Sequence, residues 1–212
     1  MAKPPLFVLG SFVVACSAKV ARFPAPGESL RADAVVIEPG GKGFNLAVAL
    51  ARLGCAVDGL IAVGDDLRAA FAEPALRAAG LPASMLLRFP GPTGAGVGFT
   101  DASGESCLAV DPAANLQLQP AHVDAARARI AAAALVLAQF EIADAPIAAA
   151  FRIARAAGRE TLLNPSPFRM PAAALLSDTS MLVVNAGEAA ALASAMGLAL
   201  DLAALARRPG TA

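Results

Sequence analysis

The sequence predicts an α/β fold: a mostly parallel sheet with helices on both faces and a small β lid. Three observations predict it. Short apolar runs typical of buried strands alternate with helical segments along most of the 212 residues. The chain is 57% hydrophobic with a mean hydropathy of +0.62, which is enough for a sizeable core. Two turn-rich β-like stretches, about 11–36 and 94–111, interrupt the alternation and are the predicted lid segments. We expect 1–212 to form one domain with these segments inserted.

The first third of the chain contains two predicted strands and one predicted helix. "LFVLGSFVV" at 6–14 is a continuous apolar run, typical of a strand buried on both faces. Helical periodicity covers 41–54 and ends at Gly54, a residue that commonly terminates helices. "VDGLIAVG" at 57–64 predicts the next strand.

From residue 93 the pattern predicts a hairpin and then further alternation of helices and strands. The turn formers in "DASGE" lie between the two arms of the hairpin. The expected elements after it are a helix at 120–133, a strand at 134–140, a helix at 146–158, strands at 161–164 and 181–185, and a helix from 187. Residues 201–212 are expected to finish that helix, although the alternation would require another strand there.

Composition excludes several classes of protein. The 17 basic and 17 acidic residues balance, no basic stripe stands out, and Trp and Tyr are absent, so nucleic-acid binding is not expected. The longest apolar run, at 130–140, is too short to span a bilayer. Cys16, Cys55 and Cys107 have neither metal-ligand nor disulfide spacing. We therefore expect a cytoplasmic protein without a membrane or nucleic-acid partner.

The amino-terminal residues allow one alternative. Lys3, the apolar run and a small residue before Cys16 resemble a bacterial lipoprotein signal. A single lysine followed by Pro4 and Pro5 makes a poor positive region, and the same run predicts a buried strand. An intact-mass measurement separates the two interpretations, because a signal would leave a mature chain beginning at Cys16.

The glycine cluster in "EPGGKGFNLAVALARLG" is the first candidate site. It matches neither the P-loop nor the dinucleotide fingerprint. Gly40, Gly41 and Gly43 bring backbone N–H groups to a helix N-terminus, and glycine permits close approach of a ligand. The amide of Asn45 can both donate and accept, as sugar hydroxyls require. The alternative is a tight turn with a solvated Lys42, and the spacing leaves both interpretations open.

Polar residues at predicted strand ends are further candidates. Glu141 follows an apolar strand at its carboxyl end, where open α/β sheets bind ligands. Asn185 and Glu188 follow another strand, and this carboxylate is suited to hold a water on Mg²⁺. Without further context, the pattern favours helix capping for this pair. Asp65 and Asp66 are expected to be helix N-caps rather than a catalytic pair.

Taken together, these stretches resemble the ribokinase-like (PfkB) carbohydrate kinases. "EPGGKGFNLAVALARLG" followed by "AVGDD" is similar to the first signature of that family. "VLGS", "FPAPGE", "TGAGVGFTDASGES", "QFE", "NPSP" and "VVNAGEAAALA" agree with it in order, from about Leu6 to Leu200. The resemblance implies ATP-dependent phosphorylation of a sugar or sugar-like hydroxyl, with Mg²⁺ as cofactor. It also implies a homodimer formed through the lid.

The resemblance assigns roles to seven residues. The residues implied to line the sugar site are Gly40, Gly41, Lys42 and Asn45, with Glu141 in contact with the sugar, while Asn185 and Glu188 lie near the nucleotide phosphates. Glu188 is also the implied metal residue, holding Mg²⁺ through water. A sugar is the implied small-molecule partner, and the sequence makes no prediction about a monovalent cation.

Two departures from the family pattern alter the expectation. Val13 and Ala15 occupy positions where the family usually has Asn and Asp, which bind sugar hydroxyls. We therefore expect a substrate that is less polar than ribose or differently shaped.

The second departure concerns the catalytic base. No stretch matches the family's second signature, D-T-x-G-A-G-D, and "TGAG" at 93–96 is followed by Val97 where the Asp should stand. We therefore predict no catalytic residue in this chain, which we interpret as shortened at its C-terminus, and impaired phosphoryl transfer. The alternative is a non-catalytic sugar- or nucleotide-binding remnant, or a dimerisation module built on the lid.

Overall fold

Two sheets organise residues 4–197, the part of the chain that the computed structural model describes. The strands of the larger sheet are β1 (Leu6–Gly10), β4 (Val57–Val63), β5 (Leu86–Arg88), β8 (Leu135–Gln139), β9 (Glu160–Asn164) and β10 (Met181–Leu182). The strands of the smaller sheet are β2 (Val13–Lys19), β3 (Ala34–Gly40), β6 (Gly94–Thr100) and β7 (Ser106–Asp111). The α-helices are α1 (Lys42–Arg52), α2 (Ala72–Ala78), α3 (Pro120–Ala125), α4 (Arg127–Ala132), α5 (Asp144–Ala156), α6 (Ala173–Ser177) and α7 (Ala186–Ala195).

The larger sheet has the order β10-β9-β8-β1-β4-β5, and every neighbouring pair is parallel. Its central strand β1 is buried on both faces. Phe7 packs with α5 residues such as Phe151 on one face, and Val8 packs with Phe44 of α1 and Leu76 of α2 on the other. The predicted parallel sheet, covered by helices on both faces, is therefore confirmed.

The smaller sheet has the order β3-β2-β6-β7 and is the predicted lid. Its central pair, β2 and β6, is parallel, whereas both outer pairs are antiparallel. Residues directly opposite each other share a face of a sheet. Ala15 lies opposite Glu38 on one side and Gly96 on the other, and Val110 pairs with Gly96. We call the face that carries these four residues the inner face of the lid.

The predicted strand over 6–14 is wrong as a single element. β1 ends at Gly10, and the chain enters the lid at Val13. Between them, the backbone N–H and C=O of Phe12 bond to the side chain of Asn115, both at 2.9 Å. A side chain from a distant segment thus replaces the ladder partners. An apolar run cannot reveal this change of sheet, because both strands are buried where they meet.

The predicted capping role of Asp65 and Asp66 is also corrected. Asp66 occupies the N-cap position of the 3₁₀ helix Leu67–Phe71, but its side chain makes no capping hydrogen bond there. Instead, Asp65 accepts from the backbone N–H of Gly91 at 2.9 Å, and Asp66 accepts from that of Thr93 at 3.1 Å. Both carboxylates therefore hold the loop that leads into β6.

Lys3 and the predicted helix end over 201–212 lie outside the described residues. Within 4–197, no helix combines the length and the apolar character needed to cross a membrane.

Candidate functional site

The N-terminus of α1 meets the carboxyl ends of β1 and β8. The hydroxyl of Ser11 donates to Oε2 of Glu141 at 2.6 Å, and the backbone N–H of Lys42 donates to the same oxygen at 2.8 Å. The backbone N–H of Gly43 donates to Oγ of Ser11 at 3.1 Å. A carboxylate at the positive end of a helix is stabilised by the exposed N–H groups and the helix dipole. Glu141 therefore completes the first turn of α1 from the distant segment that follows β8.

Hydrogen bonds to the residues just before and just after Glu141 fix its position. Gln139, the last residue of β8, donates to Oγ of Ser11 at 3.1 Å and accepts from the backbone N–H of Glu141. Arg169 donates to the carbonyls of Phe140 at 2.7 Å and Ile142 at 2.8 Å. Its guanidinium also lies 4.0 Å above the ring of Phe140. These contacts hold the segment that presents the Glu141 carboxylate.

Two glycines of the cluster are required by the protein's own backbone. Gly41 has φ +97, a conformation that glycine adopts readily and other residues rarely do. A Cβ on Gly43 would lie 2.3 Å from Cα of Gly10 and 2.3 Å from the backbone nitrogen of Ser11. Gly43 therefore permits α1 to approach the end of β1 closely, a packing role that sequence reasoning did not assign to it.

One cleft of about 400 Å³ brings the five predicted sugar-site residues together. Its floor and one wall are formed by Gly40, Gly41, Lys42, Asn45 and Glu141. Lys42 and Asn45 are exposed, and Glu141 is partly buried. The opposite wall is the inner face of the lid, and there the cleft is lined by Val13, Ala15, Glu38, Gly96, Leu108 and Val110. The cleft thus has hydrogen-bonding groups on one side and a largely apolar lid wall on the other.

Asn185 and Glu188 lie at the start of α7, outside this cleft. Oδ1 of Asn185 accepts from the backbone N–H of Glu188 at 2.8 Å, and Oε2 of Glu188 accepts from the backbone N–H of Asn185 at 3.0 Å. This reciprocal pair is a capping box. The capping interpretation of this motif is confirmed, and the two side chains are organised by their own helix.

The carboxyl of Asp66, which bonds to the loop that leads into β6, has a strongly lowered pKa. Partial burial by itself raises the pKa of Asp66, but hydrogen bonds from Thr93 and the ion pair with Arg68 outweigh it and lower the pKa to about 2. The loop that leads into β6 is thus held by a carboxylate that stays charged at neutral pH.

Sequence reasoning missed three residues that build the site. Ser11 and Gln139 are fully or almost fully buried, and Arg169 lies in the segment after β9. A signal for the first two was present, because each is a polar residue inside an otherwise apolar run, and buried polar groups need partners. No local signal pointed to Arg169, whose partners lie 25 to 29 residues away.

Comparison with known proteins agrees with the fold. Residues 3–208 match the pfkB family carbohydrate kinase domain. The chain is 33% identical to the ribokinase of Staphylococcus aureus over 184 residues, which is 86% of this chain and 60% of that protein. It is 33% identical to the deoxyribokinase of Salmonella typhi over 162 residues, 76% of this chain and 53% of the relative.

A solved structure gives the same result. The ribokinase of Cryptococcus neoformans var. grubii in complex with ADP superposes with a TM-score of 0.77 and 27% identity, over 93% of this chain and 63% of that one. The chain therefore belongs to the pfkB family of carbohydrate kinases. It spans about three fifths or less of the length of each of these three relatives.

Proposed function

We propose that this chain forms the sugar-binding part of an ATP-dependent carbohydrate kinase that phosphorylates a hydroxyl of a sugar or sugar-like substrate. The observation that supports this most directly is the cleft in which the exposed amide of Asn45, the ammonium of Lys42 and the carboxylate of Glu141 converge beside Gly40 and Gly41. Amide and charged side chains of this kind supply both donors and acceptors for hydroxyls.

In this proposal the cleft binds and orients the substrate. The Oε2 atom of Glu141 is already engaged by Ser11 and by the backbone of Lys42, so its Oε1 atom is the acceptor available to a sugar hydroxyl. Asn45 contributes an amide that can donate and accept. Phosphoryl transfer depends mainly on positioning and electrostatic stabilisation, and this set of residues supplies the positioning.

ATP and Mg²⁺ enter the proposal through the similarity to ribokinases, one of which is solved with ADP. Glu188 has a carboxylate suited to a hydrated Mg²⁺, and among the hydrogen bonds of residues 4–197 its Oε1 atom accepts none. Within the same residues, no three His, Cys, Asp or Glu side chains cluster closely enough to hold a metal directly. Glu188 would therefore hold the ion through water, beside Asn185. Bound Mg²⁺ would neutralise charge on the phosphates.

The proposal assigns no catalytic base within the 212 residues, because none of them lies in a D-T-x-G-A-G-D match. We therefore expect this chain by itself to bind sugar and to turn it over slowly. We propose that it functions in the cytoplasm, which is consistent with its three free cysteines.

A calorimetric titration and an ADP-release assay test this function together. D-ribose, 2-deoxy-D-ribose and D-fructose are titrated into the chain, and the same sugars are supplied with ATP and Mg²⁺. We expect binding that weakens at least about ten-fold in Asn45→Ala, which corresponds to 1.4 kcal/mol. Glu160→Ala, a change at an exposed residue at the end of β9 opposite the cleft, is the control. Turnover at an ordinary kinase rate of about 1–100 s⁻¹ would contradict the proposed lack of a base, and absence of all sugar binding would contradict the function.

A second function, homodimerisation through the lid, is supported by the face opposite the cleft. Val35 is 62% exposed, Ile37 59% and Val97 59%, and the strand register places all three on that face. Exposed apolar patches of this kind commonly mark protein interfaces. We expect sedimentation to show a dimer that dissociates in Ile37→Lys, whereas a similar change at Leu53, which is 78% exposed on α1, leaves it intact. A monomer at all concentrations would contradict this.

A further inference from the structure

The lid wall of the cleft carries one charged side chain among the described residues. Val13, Ala15, Gly96, Leu108 and Val110 offer a ligand no hydrogen-bonding side-chain group. Glu38, on β3, lines the same cleft and is exposed. A sugar ring bound there turns hydroxyls toward both walls, and a hydroxyl that loses water without gaining a partner weakens binding. Among the described residues, Glu38 is therefore the side chain on the lid wall that can accept a hydrogen bond from a sugar hydroxyl.

The register of the lid gives the Glu38 side chain room to reach the ligand. Glu38 lies directly opposite Ala15, which in turn lies opposite Gly96 on the next strand. Side chains at directly opposed positions have Cβ atoms about 4.5–5.5 Å apart and occupy the same face. Between Glu38 and Val110 at the far end of this row, the only side chains are the methyl group of Ala15 and the hydrogen of Gly96. The carboxylate of Glu38 can therefore extend over Ala15 and Gly96 without displacing a larger side chain.

We propose that Glu38 is a substrate-contacting, specificity-determining residue that accepts hydrogen bonds from sugar hydroxyls on the lid side of the cleft. The proposal rests on the sugar-binding function proposed above. Glu141 reaches the substrate from the end of β8, and Glu38 reaches it from the lid. A pair of carboxylates on opposite walls selects a substrate with hydroxyls on two edges.

The register also offers a direct test, since a carboxylate can be moved to the opposed position. The sugar that binds most tightly among D-ribose, 2-deoxy-D-ribose and D-fructose is titrated into variants of the 212-residue chain. We expect Glu38→Ala to weaken binding on the order of ten- to a hundred-fold, the range for hydrogen bonds to charged groups. Ala15→Asp combined with Glu38→Ala returns a carboxylate to the same row and should recover most of the affinity, whereas Ala15→Asp with Glu38 in place should raise the affinity little, because the row then already holds a carboxylate.

Two further variants complete the design. Ala15→Asp alone places two carboxylates at directly opposed positions, where like charges repel, so we expect a lower melting temperature than in the double variant. Glu105→Ala removes an exposed glutamate from the turn between β6 and β7 and is the matched control. It should leave the affinity within about two-fold of the wild-type value, well below the effect of losing a hydrogen bond to a charged group.

The outcomes separate this inference from the function on which it rests. Absence of sugar binding by the wild-type chain would overturn both. Binding that is lost in Asn45→Ala and retained in Glu38→Ala would leave the proposed function standing and overturn the role of Glu38. Weakening in Glu38→Ala at an unchanged melting temperature, followed by recovery in the double variant, supports it. If Glu38→Ala weakens sugar binding and the double variant does not recover it, the effect is not due to the carboxylate of Glu38, and the proposal is overturned.

Discussion

The N-termini of α1 and α7 resemble each other in sequence and are stabilised in different ways. Each follows a strand, and each has glycine as its second residue, Gly43 in α1 and Gly187 in α7. The first turn of α7 is capped by Asn185 and Glu188, which lie three residues apart. The first turn of α1 has no side-chain cap of its own, and Glu141 completes it from 99 residues away.

The cap of α7 is therefore a local structure, whereas the cap of α1 exists only in the folded chain. The capping box of α7 needs its own four residues and no distant partner. The α1 terminus depends on β1, β8 and α1 being packed together, and the same packing forms the floor of the cleft. A distant carboxylate at a helix terminus thus links the stability of α1 to the geometry of the candidate sugar site.

Replacing the second residue of each helix gives the largest contrast. Gly43→Ala drives a Cβ to within 2.3 Å of backbone atoms that cannot move aside, so we expect a loss of about 3 kcal/mol or more in the free energy of unfolding. Gly187→Ala meets nothing closer than the side chain of Asn185 at 3.4 Å and should be neutral or stabilising by up to about 1 kcal/mol. Urea denaturation measures both, and equal effects would contradict the close-packing explanation.

Removing the distant carboxylate should have the next largest effect. Glu141→Ala leaves the hydroxyl of Ser11 and the N–H of Lys42 without their acceptor, so we expect a loss of about 1–3 kcal/mol in the free energy of unfolding. Glu160→Ala, which replaces an exposed glutamate on β9, is the control and should change the free energy of unfolding by less than about 0.5 kcal/mol. A Glu141 variant as stable as the control would show that α1 does not depend on this contact.

Removing the local cap should cost less. Asn185→Ala deletes the side-chain acceptor for the N–H of Glu188, and we expect a loss of about 1 kcal/mol, as for other N-cap residues. Asn185→Ser keeps an acceptor at that position and should lie within a few tenths of a kcal/mol of the wild-type value. If the serine variant lost as much as the alanine variant, capping would not be the role of Asn185.

Acid should reveal the smallest effect, at a second carboxylate that bonds to a distant segment, Asp66. The pKa of Asp66 is lowered from 3.8 to about 2 in the folded chain. Its stabilising contribution is therefore complete above about pH 4 and is lost as the pH falls toward 2, because the unfolded chain takes up the proton first. Measured between pH 4.5 and 2, the free energy of unfolding of Asp66→Asn should fall less steeply than that of the wild-type chain. Parallel curves would contradict the assignment.

Much of the fold was predictable because its signals are local. Apolar runs and helical periodicity predicted the parallel sheet, α1 ending before Gly54, and the hairpin of β6 and β7, and a four-residue pattern predicted the capping box at Asn185. The cluster from Gly40 to Asn45 was found as a candidate site in the same way. These features depend on neighbours in sequence, so a short window contains all the information needed.

The tertiary structure alone decided the rest. The break after Gly10 depends on Asn115, more than 100 residues away, and the hydroxyl of Ser11 meets Glu141 across 130 residues. The register that places Glu38 opposite Ala15 is a property of the assembled lid. Hydrogen bonds of this kind join segments whose spacing follows no period. They form only when packing of the two hydrophobic clusters brings the segments together, and the cleft is built from them.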